Sequence, residues 1–529
     1  MVKNIFLAVI ISFLSVFSLF SKGLPPTHDG EYHVIRFYEF AKTLSDGNIY
    51  PRWAPDLNNG FGFPLFNYVY PLPNYTAALF HLFGSSFIDA FKLNMILAVI
   101  LGSIFMYLWA REFWGDLGGI VASAFYSFSP YHLADIFIRG SVGEVWALSF
   151  FPAFLWSLTK FLKTKKDFYL FLSGIFLALV IFSHNILGLM FFAFSIVYAI
   201  FLLFTLRYKP YLKVISIFLL GLLLSSIFWA PALFEKQFVR GLEIYDYSTN
   251  FPEFYQLIFP SWGAGLAGDL VNGLSFQIGA ANLLVFILSF FLLLKKEYKK
   301  AVSFMIVCFL IVFFLMLKVS LPVWRIVPLM NYFQFPWRFL SLEILIVSFL
   351  AGGVSTFWKP KLLSFFLIAL VILLGIGYAK PAYFMLRSDN YYTTRPNFID
   401  GTNSPGNTFN TVWFKNQPKA GEKINLPKNE IISQDIKSTD YLFLLNLKRG
   451  KEVTVNTAYF PRWSVYVDGK KVRVEGTSTG LFKFKLEKGK HKVNVLLEDT
   501  YDRKLFTLIS LTTLLFILLN MLRFVRIKR

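Results

Sequence analysis

Two carboxylates and two imidazoles fall within six residues of one another in the run Thr27-His28-Asp29-Gly30-Glu31-Tyr32-His33. Carboxylates and imidazoles are the side chains that move protons or hold metal ions near neutral pH, so this run is the first candidate for chemistry. A helix start needs only one short polar residue as a cap, and Asp29 stands where it can serve. That role leaves Glu31, His28 and His33 unexplained. The surplus points to an acid–base site, or to a divalent ion such as Mg or Mn bridging Asp29 and Glu31.

Other ionisable residues stand at similar positions next to apolar stretches. His132, Asp135, Arg139 and Glu144 lie in or beside one short loop, and His184-Asn185 interrupts two apolar runs. Glu235, Lys236 and Arg240 follow another apolar run, while Arg325 and Arg338 flank the segment 328–336. Charges near bilayer depth are costly unless they face a cavity or one another. Each alone can be a snorkelling side chain or a structural ion pair. Jointly they describe a membrane-proximal cavity with carboxylates on one wall and arginines on another. A guanidinium fork suits phosphate oxygens, and a lipid-linked phosphate arrives from the bilayer at this depth.

Composition supplies the elements that must hold these residues. Of 529 residues, 56% are hydrophobic, 19% aromatic and only 16% charged, which excludes most soluble folds. Twelve apolar segments are long enough to suggest spans: 5–20, 91–110, 117–131, 142–162, 168–183, 186–206, 211–230, 276–294, 301–317, 339–357, 362–378 and 505–522. The stretch 65–83, broken by Pro71 and Pro73, reads as re-entrant or interfacial.

With that stretch left out, the dense basic clusters beside spans all fall on one side. Lys160/Lys163/Lys165/Lys166, Lys295/Lys296/Lys299/Lys300 and Arg523/Arg526/Lys528/Arg529 are among them. The positive-inside rule makes that side cytoplasmic, together with both termini. The net charge of +21 is then a matter of topology and no sign of a nucleic-acid partner. The first apolar run lacks a small-residue cleavage site and reads as an uncleaved anchor. Cys308 is the single cysteine, so neither a disulfide framework nor a CxxC metal motif is available.

Two elements complete the expected architecture. Tyr32, Ile35, Tyr38, Ala41 and Leu44 recur every three residues, predicting a helix along the membrane surface from Gly30 to Asp46-Gly47. From Glu452 onward, period-two alternation with turns at Asp468-Gly469-Lys470 and Lys488-Gly489-Lys490 predicts an external β-sandwich. The domains are then 1–379, membrane-embedded with external loop 21–90; 380–504, the sandwich; and 505–529, a last span with a basic tail. The sandwich reads either as a lid or as a carbohydrate-binding module, for which Trp413 and Trp463 could offer stacking faces.

The order of parts resembles the GT-C class of polytopic glycosyltransferases. It is more closely similar to membrane proteins described as 6-pyruvoyl-tetrahydropterin-synthase-related, a label that does not imply pterin chemistry. The residues that carry the resemblance are Pro26 through His33, Tyr50-Pro51-Arg52-Trp53, Gly60-Phe61-Gly62-Phe63-Pro64, Ser129-Pro130-Tyr131-His132, Arg139-Gly140, Ser183-His184-Asn185 and Phe335-Pro336-Trp337-Arg338-Phe339.

The resemblance implies transfer of a sugar from a polyprenyl-phosphate carrier to a glycan, lipid or protein acceptor on the external face. It makes Asp29 the catalytic or metal-binding acid of the first external loop, with Glu31 beside it and Asp135 as a second acidic position. Arg139, His184, Arg325 and Arg338 would hold the donor phosphate. His28, His33, Arg52, Asp135 and Glu144 would line the substrate site. A lipid or polysaccharide flippase, or a non-catalytic sugar-binding scaffold, are the other classes that fit these residues.

Overall fold

The computed structural model of the chain describes residues 2–241, 246–265, 273–357, 359–394 and 408–526. It is a helical membrane bundle carrying a C-terminal β-structure. Among the described residues, eight helices are long and apolar enough to cross a membrane, and the pair Tyr211–Leu224 and Ser226–Phe234, bent by 68°, adds a ninth if taken as one span. The apolar helices Asp167–Ser183 and Ala280–Leu294 are shorter.

Every expected apolar segment has a helical counterpart, although two of them share one. The segments 91–110 and 117–131 fall on the continuous element Phe87–Phe128, which breaks at Gly115 (φ 72°, ψ −173°). Its arms fold back on each other there: the hydroxyls of Ser103 and Ser123 meet at 3.0 Å. The backbone at Gly119 lies so close to Tyr107 that a Cβ would sit 2.8 Å from the Tyr107 carbonyl oxygen. The stretch 65–83 holds a short 3-10 turn, Leu65–Asn67, and the 11-residue helix Leu72–Leu82, the latter about 16 Å long and too short to span. Ion pairs Lys160–Glu112 (2.9 Å) and Lys213–Asp167 (2.8 Å) tie the basic loops together at the end away from the site. Of the C-terminal basic cluster, Lys528 and Arg529 lie outside the described residues.

The predicted surface helix runs Gly30–Ser45 and stops at Asp46, followed by Gly47 at φ 97°. Its start differs from expectation in one respect. Asp29 makes no side-chain cap bond; the Thr27 hydroxyl accepts the Gly30 N–H at 3.1 Å instead.

The β-structure has eight strands, β1 (Ile431–Ile436), β2 (Asp440–Leu447), β3 (Lys451–Val455), β4 (Trp463–Val467), β5 (Lys470–Val472), β6 (Glu475–Gly476), β7 (Phe482–Leu486) and β8 (Gly489–Leu497), among the described residues; it packs a five-stranded antiparallel sheet, ordered β1-β2-β8-β4-β5, against a three-stranded sheet, β3-β7-β6. Two strands, β1 (Ile431–Ile436) and β2 (Asp440–Leu447), precede the alternation that begins at Glu452. Strand β4 (Trp463–Val467) turns through Asp468-Gly469 into β5 (Lys470–Val472), as the sequence suggests. The turn at Lys488-Gly489-Lys490 is not a hairpin. Strand β7 (Phe482–Leu486) pairs with β3 (Lys451–Val455), whereas β8 (Gly489–Leu497) pairs with β2 and β4. The chain switches sheets there. Alternation alone cannot distinguish a sheet-changing corner from a hairpin, because both preserve which side chains face the core.

The sandwich core is completed from outside its own segment. Trp53 and Phe61, from the loop after the surface helix, are buried in the same cluster as Tyr441, Phe443 and Phe482. The Trp53 ring meets Trp463 edge-on at 5.3 Å, and the Phe61 carbonyl accepts the Ala458 N–H at 2.9 Å. Burying a Trp in this way contributes about 3–5 kcal/mol as judged by truncation. Trp463 is thus core and presents no stacking face, whereas Trp413 is 37% exposed.

Polar contacts reinforce this docking. Glu235 accepts from Arg503 (2.6 Å), Arg462 (2.9 Å) and Asn67 (3.0 Å), joining the bundle, the sandwich and the first loop. Nearby, Glu39 of the surface helix is buried and accepts the Asp56 N–H at 3.0 Å, while Lys42 pairs with Asp56 at 2.5 Å. Burial, and then the charge of Asp56, push the Glu39 carboxyl up to about 8. A raised acid binds its proton more tightly when folded, so stability is full below its ordinary value of 4.5 and declines as pH rises toward 8. The thermal midpoint should therefore fall between pH 5 and 8, with a slope of up to about 1.4 kcal/mol per pH unit. Glu39→Gln should flatten that part of the profile; an unchanged slope would remove Glu39 as its origin.

Candidate active site

Asp29 is held by its backbone against the loop that carries Arg139. The His28 N–H donates to the Ile138 carbonyl and the Asp29 N–H to the Arg139 carbonyl, both at 2.9 Å. Residues Asp135–Arg139 form one π-helical turn closed by Gly140 in the left-handed region (φ 65°). A Cβ at Gly140 would collide with the Thr27 side chain, so this glycine permits the close approach. With Thr27 capping the helix, the Asp29 carboxylate has no hydrogen-bond or ion-pair partner among the described residues. It is half-buried.

Beneath it lies a buried cationic network organised by Glu144, at 0% exposure. Arg139 grips Glu144 with both terminal nitrogens (2.6 and 2.7 Å), also pairs with Asp135, and lies over the Trp337 ring at 4.8 Å. Arg338 donates its Nε to Glu144 at 3.1 Å and its Nη1 to Gln334 at 2.7 Å. The Tyr131 hydroxyl reaches the same carboxylate at 3.3 Å. One carboxylate thus anchors two guanidiniums, the arrangement that makes such charges tolerable out of water.

His184 caps the helix Asn185–Thr205, its Nδ1 accepting the Leu187 N–H at 3.2 Å, which places the ring proton on Nε2, 3.9 Å from Glu144. Burial, with the two arginines adding to it, outweighs the pull of Glu144 and lowers the imidazole to about 3. It is a neutral N–H donor. The Tyr70 ring lies against it, tilted by 33° at a centroid distance of 5.1 Å, and the charges of Arg36, Asp29, Glu144 and Arg139 all act on the Tyr70 hydroxyl.

A cavity of about 450 Å³ opens here, with Arg36, Tyr70, His184, Lys236, Gln334 and Arg338 on its polar side. Its lining also includes the apolar residues Ile181, Ile186, Leu189, Trp229 and Leu233. Leu233 and the adjacent Phe234 are exposed. The lining thus combines guanidinium, ammonium and imidazole groups with apolar side chains.

The structure brings Asp29, Arg139, His184, Arg338, Asp135 and Glu144 together. It also contributes Arg36, which the sequence reading passed over. Asp29, His33 and Arg36 stand at i, i+4 and i+7 of one helix, a spacing that puts them on one face and would have found it. Other candidates lie elsewhere. Arg325 is exposed on the helix Leu321–Ile326 and does not line the cavity. Arg52 is buried against Asn67 (2.9 Å) and Asp499 (3.7 Å), in the structural network of Glu235. His33 is buried between Phe37 and Phe91, and burial holds it neutral. His28 bonds the Ala264 carbonyl at 2.9 Å.

Glu31 pairs with Arg387 at 2.7 Å, so it does not join Asp29 in a two-carboxylate site. Among the described residues no three His, Cys, Asp or Glu side chains converge to hold an ion. The donor set here does not suit a divalent metal.

Residues 66–385, more than half of the 529, match the family of the 6-pyruvoyl-tetrahydropterin synthase related domain, a membrane-protein family. An uncharacterised protein of Lactococcus lactis subsp. cremoris is 23% identical over 171 residues, covering 31% of this chain and 28% of that protein. Among solved structures, arabinofuranosyltransferase AftD from Mycobacteria aligns over 72% of this chain and 26% of its own (14% identity, TM-score 0.45). ArnT from Cupriavidus metallidurans, bound to undecaprenyl phosphate, aligns over 70% and 63% (12% identity, TM-score 0.41). The Archaeoglobus fulgidus oligosaccharyltransferase aligns over 72% and 56% (12% identity, TM-score 0.41). The chain thus spans about a quarter of the length of the relatives it matches first. By the match across its membrane bundle, the chain belongs to the 6-pyruvoyl-tetrahydropterin synthase related family of membrane proteins.

Proposed function

We propose that this protein is a membrane glycosyltransferase that moves a sugar from a polyprenyl-phosphate-linked donor to an acceptor hydroxyl on the external face of the cytoplasmic membrane. The observation that carries the reading is the Asp29 carboxylate, not used in capping and without a partner among the described residues, whose charge is felt at Tyr70, one of the residues lining a cavity with both cationic and apolar side chains. The polyprenyl chain lies along Ile181, Leu189 and Leu233, and its phosphate faces Arg36, Arg338 and the His184 Nε2–H.

Asp29 accepts the proton of the acceptor hydroxyl as that oxygen bonds to the anomeric carbon. The bond from the anomeric carbon to the phosphate oxygen breaks, and its electron pair leaves with the polyprenyl phosphate. Fixed cations at that oxygen stabilise the developing charge without reorganising. Arg139 does not touch substrate in this scheme; it is held by Glu144 and Asp135 and positions Asp29 through its own backbone carbonyl. Both termini are cytoplasmic in this reading, and the sandwich is external.

The test is to incubate the purified full chain with a panel of polyprenyl-phosphate sugars. Release of polyprenyl phosphate with loss of sugar from one donor is expected. No release from any donor, with protein that still binds polyprenyl phosphate, would favour a carrier over a transferase.

A further inference from the structure

We propose that the acceptor is a carbohydrate chain and that part of it rests on an aromatic platform at the sandwich edge, centred on Trp413. As an acceptor subsite this rests on the transferase reading above; as a binding site it stands by itself.

The platform is joined to the cavity by a short β-bridge. Thr408 and Phe409 line the cavity together with Lys236. From there the two segments run side by side, Val239 paired with Thr411, the Arg240 N–H donating to the Asn410 carbonyl at 2.9 Å and the Val412 N–H to the Phe238 carbonyl at 3.1 Å. Their next residues, Phe238 and Trp413, stack at 6.0 Å, and Tyr459 meets Trp413 edge-on at 5.0 Å. Cavity and platform are therefore two ends of one small structural unit.

The chemistry of the patch selects its occupant. Trp413 is 37% exposed, and its indole N–H has no partner among the described residues. Next to it in the fold stand exposed Arg240, whose Nη2 donates to the Val412 carbonyl at 2.7 Å, and the turn 477–480, whose Gly480 backbone packs against the Trp413 carbonyl and whose Thr477 (half-buried) and Thr479 (exposed) hydroxyls lie 2.9 Å apart. An aromatic face bordered by hydroxyls, a guanidinium and a free N–H matches a sugar ring, which offers C–H groups on its face and hydroxyls at its edge. A lipid tail would leave those polar groups desolvated. A peptide adding a strand needs free backbone groups, yet the Thr479 carbonyl is already taken by the Lys415 N–H (3.2 Å) and Gln417 (2.8 Å).

The experiment uses the full chain in lipid nanodiscs, with mannotetraose, cellotetraose and chitotetraose as probes, read by saturation-transfer NMR and intrinsic Trp fluorescence. At least one tetrasaccharide is expected to bind, with affinity about tenfold weaker in Trp413→Ala and within about threefold of the parent in Trp413→Phe. Trp413→Ala gives up the ring contacts with Phe238 and Tyr459 and should lower the thermal midpoint somewhat, so binding is read at a temperature where the parent and both variants are folded. Absence of binding by all three probes, or equal binding by Trp413→Ala, overturns the platform. Failure of every lipid-linked donor to turn over, with tetrasaccharide binding retained, would instead overturn the transferase reading alone.

Discussion

Asp29→Asn is expected to lower sugar transfer by about 10²–10⁴-fold, the usual contribution of a positioned general base. The substitution keeps size and shape, and because Thr27 rather than Asp29 caps the surface helix, it removes no bond that the fold uses. Binding of polyprenyl phosphate and the thermal midpoint should therefore match the parent. Had Asp29 been the cap, Asn would also have been tolerated, so unaltered stability does not discriminate; the drop in turnover does. Near-normal turnover by this variant would refute Asp29 as the base. Thr27→Ala is the complementary variant: it should reduce stability by about 1 kcal/mol, and, because the Gly30 N–H loses its acceptor, it leaves the Asp29 carboxylate as the remaining cap, so transfer should fall as well.

Removing Glu144 is expected to have the largest structural effect of any single change in the site. Glu144→Ala leaves Arg139 and Arg338 without the carboxylate that both grip. Breaking a buried ion network from one side costs about 3–5 kcal/mol, because the remaining charges stay buried and uncompensated. The variant should show a markedly lower thermal midpoint and no transfer. Glu144→Gln keeps an oxygen toward Arg139 and should fold, but Arg338 and the His184 N–H lose the negative charge that orients them. Its donor KM should rise more than its kcat falls, since these residues are assigned to the phosphate and Asp29 to the proton. A Glu144→Ala protein as stable as the parent would show that the arginines find other partners and that Glu144 does not organise them.

Much of this was legible from residue order. The surface helix was visible in its three-residue recurrence and its Asp46-Gly47 stop, and every apolar run became a helix, because apolar periodicity and breakers are local properties. Arg36 was equally visible, at i+7 from Asp29, to a reading that followed the helix face rather than the dense polar run. Other features were not local. Trp53 and Phe61 complete a core whose other members lie about 360 to 440 residues later in the chain, and no pattern within 53–63 announces it. The corner at Lys488 looks like a hairpin because both conserve alternation. Arg52 and Arg325 have the same residue type as Arg338, but one is absorbed by Asn67 and Asp499 and the other faces outward.

By itself, the sequence determined the solvent of this protein, its helical segments, and the neighbourhood in which unusual polar residues collect, since each follows from transfer free energies and short-range backbone preferences. The tertiary structure alone decided which of those polar residues remain free to act. Asp29 is available because Thr27 takes the capping bond and Gly140 admits the loop beside it, whereas Glu31 is spent on Arg387. Whether a charge is a working group or a structural one depends on what lies within about 3 Å of it, and that is set by contacts between segments far apart in the chain.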